Sequence, residues 1–227
     1  MNKFPLKDRF ETGGKFQKAQ EKTFSSILSN KSKNILEIGC GKGYFSYIAA
    51  KYKKINNLFG VDIYRDFQEK ELKKIAKKVE YRSINKKNIP YKDNVFNSVF
   101  SMDVIEHVSD DKFFAKEHIR VCKKSGQVII GTPNYYRLTN LPLIMTGRLK
   151  YPRDMGSDTY GRCIHLREYK KEELQKMAKY FENKKMITNV KIIPCWLGVM
   201  AINIGIDKFP KIFEKYCQFW FLVFTKT

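Results

Sequence analysis

The run Glu37-x-Gly39-x-Gly41-x-Gly43 sets an acid and three glycines at alternate positions, and Asp62 follows nineteen positions past Gly43. Glycines at a strand-to-helix turn let the backbone pass close to a ligand, and the helix start aims free N–H groups at negative charge. An acid closing the next strand offers two carboxylate oxygens to a pair of ribose hydroxyls. The chemistry served by this set is nucleoside binding. Glu37 narrows the ligand, because a carboxylate beside the turn repels a pyrophosphate and suits a ligand with a cationic group.

Apolar patterning supplies the elements that must hold these groups. Ile35, Leu36 and Ile38 read as a buried parallel strand, and Tyr44 to about Lys53 reads as the helix after the turn. A helix precedes them from Lys15 to Leu28, with Phe16, Ala19, Phe24, Ile27 and Leu28 at helical spacing. Leu58 to Ile63 is the second strand. Arg65 to Lys78 is expected as a charged helix with Phe67, Leu72, Ile75 and Ala76 on its inner face. Strands follow at Val79–Ser83, Val95–Ser101 and Gln127–Gly131, with a helix capped by Ser109 and running to about Cys122 between the last two. This alternation predicts a doubly wound α/β domain. Residues 132–168 show no clear period and read as a lid or binding loop. A helix from Glu168 to Phe181, a strand at Val190–Ile193 and a final strand at Phe219–Phe224 complete a single domain spanning 1–227.

Lys+Arg 44 against Asp+Glu 23 gives a net charge of +21. Such an excess attracts nucleic acid, an anionic membrane surface or an acidic substrate. The lysines are scattered in ones and twos, which favours a compositional bias over a built patch. Five cysteines, Cys40, Cys122, Cys163, Cys195 and Cys217, have neither disulfide nor zinc-ligand spacing, so no metal site is expected. The first residues lack the apolar core of a signal peptide, and no apolar run approaches a membrane span. A reducing cytoplasm is the expected compartment.

A dinucleotide-binding turn reads G-x-G-x-x-G, and here Tyr44 takes the place of its third glycine, which argues against a nicotinamide oxidoreductase. S-adenosylmethionine fits better, with an ammonium and a sulfonium for an acid and a carboxylate for the helix start. Leu36-Glu37-Ile38-Gly39-Cys40-Gly41-Lys42-Gly43 resembles the first motif of the class I S-adenosylmethionine-dependent methyltransferases. Asn88 to Asn97 resembles that family's loop and fourth strand, and Ser101-Met102-Asp103-Val104-Ile105-Glu106-His107-Val108 resembles the segment after it. Arg120 to Lys123 with Gly126 resembles its approach to the fifth strand. The resemblance covers about residues 15 to 135 and is nearest to the ubiquinone-biosynthesis O-methyltransferases and related small-molecule enzymes. Beyond it, His165-Leu166-Arg167-Glu168-Tyr169 and the following helix are similar to the family.

The resemblance implies a Rossmann-like, seven-stranded sheet, mostly parallel with an antiparallel last strand and helices on both faces. It implies Glu37, Gly39, Gly41, Gly43, Asp62 and Met102 as cofactor contacts, with Ile63 against the adenine. Asn85 stands where the family often has an acid reading the adenine amino group, and its side-chain carbonyl can still accept that bond.

Methyl transfer to an oxygen nucleophile calls for positioning, exclusion of water and a base, for which histidine is the usual choice. His165 lies in the irregular segment where an acceptor would enter and is the first candidate. His107, after the fourth strand, is the second; either can also be read as structural. His118, mid-helix among Phe114, Val121 and Cys122, reads as a packing residue. Arginines and tyrosines interleaved between Tyr135 and Arg162 suit an anionic or aromatic acceptor, or simply a lid. The apolar stretch Ile192–Ile206 reads as a strand and turn covering the core, or as a patch resting on a membrane beside a lipid-linked acceptor. The sequence therefore predicts a methyltransferase acting on a small molecule, most simply at oxygen. The alternative is an RNA methyltransferase, against which Ser101-Met102-Asp103 replaces the Asn/Asp-Pro-Pro-aromatic motif of base-amine enzymes.

Overall fold

The computed structural model describes residues 13–84, 88–151 and 165–227. Strand β1 (Asn34–Ile38) and helix α2 (Tyr44–Lys53) flank the glycine turn, and helix α1 (Lys15–Ile27) precedes them. Strands β2 (Asn57–Asp62), β3 (Lys78–Ser83), β4 (Phe96–Met102) and β5 (Cys122–Pro133) follow, with the short helix α3 (Glu69–Leu72) between β2 and β3 and α4 (Asp111–Val121) between β4 and β5. After β5 come α5 (Leu141–Met145), α6 (Lys171–Asn183), β6 (Ile187–Cys195), a hairpin of β7 (Leu197–Val199) and β8 (Ile204–Ile206), and β9 (Phe219–Lys226).

The main sheet has seven strands in the order β3-β2-β1-β4-β5-β9-β6. The pairs from β3 to β5 are parallel, and β9 runs antiparallel to both β5 and β6. The expected architecture is thus the one observed. Strand alternation sorts side chains to the two faces. Ile35 of β1 faces the layer of α1 and α2 with Phe24, Phe45 and Ile48, whereas Leu36 and Ile38 face that of α4 and α6 with Ile119, Leu174 and Phe181. Every residue of β9 from Phe219 to Phe224 is buried, as a strand covered on both faces requires. The same alternation turns Glu37 to the α2 side, which decides its partners below.

Three expectations need correction. The helix expected over Arg65–Lys78 is the single turn α3, and Ile75 is 40% exposed rather than inward. Phe67 lies against Gly43 and Gly60, drawing the chain before Glu69 out of helical geometry, and turn bonds from Ile75 and Ala76 to the Leu72 carbonyl close the segment. The cap of α4 is Asp110, whose Oδ1 accepts the Phe113 N–H at 2.9 Å, and not Ser109. The apolar stretch to Ile206 leaves the core after Trp196, so that Ile202, Ile204 and Ile206 stand more than half exposed on the hairpin.

Candidate active site

The glycine turn is fastened on both sides by its own backbone. The Gly39 and Cys40 N–H groups donate to the Val61 carbonyl at 2.8 and 3.1 Å, and the Gly43 N–H donates to the Cys40 carbonyl at 2.7 Å. Gly41 and Gly43 have φ of 45° and 86°, the left-handed region that favours glycine. A Cβ at Gly43 would meet the Phe67 ring at 2.6 Å, whereas one at Gly41 would meet nothing within 4 Å. Gly43 is glycine for packing, and Gly41 presents bare backbone to open space. Beside it, Asp62 accepts the Gly41 N–H on Oδ2 at 2.7 Å and the Tyr64 N–H on Oδ1 at 3.0 Å. Each oxygen keeps a further lone pair. Ile63 next to it is 38% exposed, an apolar surface at the mouth of the turn.

Glu37 lies beneath the turn, 3% exposed. Its Oε2 accepts the Ser46 N–H at 2.9 Å and the Ser46 hydroxyl at 2.6 Å, and the Phe45 N–H also reaches the carboxylate. Donors of the helix start therefore go to Glu37, where an incoming carboxylate was expected to take them. Burial outweighs these bonds and pushes the Glu37 pKa up to about 8. Met102, expected as a cofactor contact, is buried against Gly131 in the core. Asn85 lies outside the described residues.

A second cluster forms after β4. Val104 lies against Gly39, where a Cβ would collide with it, so this loop abuts the glycine turn. Ile105–His107 is a single 3-10 turn, and Leu166 pins it by donating its N–H to the Glu106 carbonyl at 2.8 Å. That bond brings the two ranked histidines together: the His107 and His165 rings meet edge to face with centroids 4.8 Å apart. His165 Nδ1 stands 2.9 Å from Glu168 Oε1. A carboxylate oxygen accepts there, so Nδ1 carries the proton and Nε2 is left with its lone pair. Glu168, itself buried, is held by Arg137 Nη2 at 2.6 Å and by Asn140 Nδ2 at 2.8 Å. Glu106 is fully buried, with Thr132 Oγ1 donating to its Oε2 at 3.0 Å. Burial first, then the charge of Asp103, keeps its carboxyl well above the usual carboxylate range.

His118 stands apart from this cluster. Buried within α4, it faces the Phe114 carbonyl through Nδ1 at 2.8 Å and the Ser101 hydroxyl through Nε2 at 3.0 Å. Burial pushes its pKa down to about 4. Of the basic and aromatic insert, Arg137 is engaged with Glu168, while Tyr135 and Tyr136 lie under Lys170 at 4.9 and 5.5 Å; residues 152–164 lie outside the described residues. A cavity of about 740 Å³ lined by Arg82, Tyr91 and Arg120 sits by the start of β4, at the opposite end of that strand from the glycine turn.

Residues 36–130 match the family described as "Methyltransferase domain". A probable S-adenosylmethionine-dependent methyltransferase of Mycobacterium tuberculosis is 29% identical over 63% of this chain and 46% of its own. The ubiquinone biosynthesis O-methyltransferase of Pelagibacter ubique is 29% identical over 48% of this chain and 46% of its own. The chain thus spans about half the length of these relatives. The crystal structure of a possible histamine N-methyltransferase from Thermotoga maritima superposes with a TM-score of 0.62 at 20% identity, covering 92% of this chain and 88% of that one. Sequence family, strand order and glycine turn agree. Over residues 36–130 the chain is similar to the methyltransferase domain family.

The glycine turn fits S-adenosylmethionine. Gly41 leaves open space where a side chain would intrude, Asp62 keeps lone pairs for hydroxyls, and Ile63 offers an apolar surface. Sequence reasoning missed Glu106 and Glu168, and read Arg137 only among the basic groups of the insert. The run around Glu106 resembled the family as a segment without showing which side chain turns inward, and Glu168 read only as a helix start.

Proposed function

We propose that this methyltransferase transfers a methyl group to an oxygen nucleophile of a small-molecule acceptor presented at His107 and His165. The observation that supports this reading is the juxtaposition of two imidazoles and two buried acids, joined to the cofactor turn through Val104 against Gly39. When bound, the cofactor supplies a methyl carbon already activated by a sulfonium. Gly39, Gly41 and Gly43 shape the turn that receives it, and Asp62 orients it through the ribose hydroxyls. Ile63 would offer its exposed side chain to the adenine, and Asn85 would accept from its amino group. Glu37 fixes the turn to α2 through the Ser46 N–H and hydroxyl.

Across the loop, Glu168 fixes the ring of His165 and its proton, so that Nε2 faces the acceptor as the group that acts on its hydroxyl proton. His107 limits where that hydroxyl can stand. Burial around Glu106 and Glu168 keeps water from competing.

We place the chain in the cytoplasm as one domain with its acceptor lid at about 132–168, and the four described cysteines, all buried free thiols, support a reducing compartment. Among the described residues no helix is long and apolar enough to cross a membrane. The exposed isoleucines of the β7–β8 hairpin support weak surface contact with a lipid-linked acceptor.

The test supplies tritiated methyl donor with three acceptor sets: hydroxylated small molecules, primary amines and bulk tRNA. Label in the hydroxylated set is expected. Label found only in tRNA, in a reaction run at physiological salt, overturns the reading in favour of the nucleic-acid alternative.

A further inference from the structure

We propose that the cavity between the exit of β5, the first turn of α6 and the 3-10 turn Lys211–Tyr216 holds a phosphate group of the acceptor. The pocket stands on its own lining; its use by an acceptor rests on the function proposed above.

The cavity encloses about 190 Å³. Sites for whole drug-sized ligands run to about 300–1,000 Å³, so this one takes a single group rather than a complete acceptor. Lys171, Lys211 and Lys215 line it against Glu172 and Glu214, which leaves one positive charge in excess. Glu214 Oε2 is already taken by Lys171 Nζ at 3.0 Å. Lys211 and Lys215 have no carboxylate partner among the described residues. Asn134 holds this wall in place, donating through Nδ2 to the Lys215 and Cys217 carbonyls at 2.8 and 2.7 Å.

Aromatic side chains supply a second, independent sign. Lys215 Nζ stands 4.5 Å and Lys170 Nζ 5.5 Å from the centre of the Tyr136 ring, and Lys171 Nζ stands 5.7 Å from that of Trp220. Cation–π attraction gathers these ammoniums without neutralising them. Trp220 is 1% exposed, and its indole N–H has no partner among the described residues. A buried tryptophan N–H ordinarily finds an acceptor. Ammoniums and an indole N–H only donate, so the lining calls for a group with several acceptor oxygens. Phosphate suits it better than carboxylate. Carboxylates are typically read by the planar fork of arginine, and among the described residues no arginine lines the cavity, whereas lysine binds phosphate as a point charge.

Position ties the pocket to the histidine cluster. Thr132, which donates to Glu106, and Asn134 on the cavity wall stand two residues apart along extended chain. They therefore share a face and lie roughly 7 Å apart, at about 3.3 Å per residue. The Asn134 N–H still donates to the Gln218 carbonyl, so pairing with the chain of β9 continues to that point. On the other wall, Lys171 follows closely on Glu168, the anchor of His165. A phosphate held in the cavity leaves a hydroxyl a few bonds away at His107 and His165. The acceptor class is a hydroxylated small molecule carrying a phosphate ester, as a sugar phosphate does.

The full chain is titrated by calorimetry, at constant ionic strength, with inorganic phosphate, glucose 6-phosphate and glucose. One phosphate-dependent site per chain is expected, and none for glucose. Lys211→Gln with Lys215→Gln, both at exposed positions, weakens binding by about tenfold or more, the loss of a charge-assisted hydrogen bond. Trp220→Phe keeps a ring in the core, removes the N–H and weakens binding by about three- to tenfold. Lys176→Gln, which removes the same charge from the exposed face of α6, leaves binding unchanged. Absence of phosphate binding, equal binding in all variants, or binding only to anionic lipid vesicles overturns the proposal. Methyl transfer, measured separately with phosphorylated and unphosphorylated hydroxyl compounds, distinguishes the two readings. The double variant should raise KM for the phosphorylated set alone, with kcat little changed. Phosphate binding with no methyl transfer to any hydroxyl compound sinks the methyl-transfer reading alone, and transfer indifferent to the phosphate and to the lysines sinks this one alone.

Discussion

The Gly41 N–H donates to Asp62 Oδ2 across 2.7 Å, so the turn after β1 and the end of β2 are held as one unit. Asp62 has a structural task before any ligand arrives, since it also receives the Tyr64 N–H. Asp62→Ala should therefore lower stability by about 1–3 kcal/mol, the cost of leaving such donors unpaired. Its larger effect should be on S-adenosylmethionine, with affinity falling at least about tenfold, the equivalent of one lost hydrogen bond of about 1.4 kcal/mol. Urea unfolding and calorimetry read the two quantities. Unchanged cofactor affinity would remove Asp62 from the ribose.

Gly41 and Gly43 should respond in opposite ways. Gly43→Ala forces a Cβ to within 2.6 Å of the Phe67 ring at a φ of 86° and should destabilise the fold by at least about 1–3 kcal/mol. Gly41→Ala meets no atom, so its cost to the fold is the left-handed strain alone, about 1 kcal/mol. It should nonetheless abolish cofactor binding by filling the space the ligand needs. A Gly41→Ala protein that binds normally would show that the ligand passes elsewhere.

Glu37 gives the fold a pH dependence with a definite sign. Its pKa is raised from 4.5 to about 8 by burial, so the native state prefers the protonated form. Its contribution is fully present below pH 4.5 and is lost as the pH rises through about 8, because the unfolded chain ionises first. The stability of the parent relative to Glu37→Gln, which does not titrate, should fall steadily across that window. A flat difference would mean that Glu37 stays ionised against Ser46 throughout.

His118 behaves in the reverse sense. Its pKa is depressed from 6.5 to about 4, so its stabilising contribution is present above pH 6.5 and is lost as the pH falls through about 4. His118→Leu should cost about 1–3 kcal/mol at neutral pH by leaving the Ser101 hydroxyl unpaired, and the two proteins should converge toward pH 4. Denaturant midpoints at several pH values test this. Methyl transfer measured well below the melting point should be little affected, in contrast to substitutions at His165.

The sheet and the cofactor turn were legible because both rest on short-range patterns. Alternation in β1 places Glu37, and the spacing of three glycines places the turn. The helix expected after β2 failed because Phe67 found Gly43 and Gly60, a contact no local period reveals. The cluster of Glu106, His107, His165 and Glu168 was half legible. Both histidines stood out by type, but their meeting depends on the Leu166 N–H reaching the Glu106 carbonyl across the whole insert. An orphaned oxygen such as Glu106 Oε1 exists only once the core has closed around it.

Strand β6 has a single neighbour in the sheet, β9, and β9 reaches the rest of the sheet only through β5. Five strands can assemble in an order close to that in which they occur along the chain. The other flank cannot: β6 and the helix α6 packed on it must wait for a strand that comes after them and slides between them and β5. Folding of this flank is therefore governed by long-range pairing, the slowest kind to form. Until β9 arrives, the edge of β5 stands open with unpaired backbone, and that interval is when the chain is most exposed to pairing with another copy of itself.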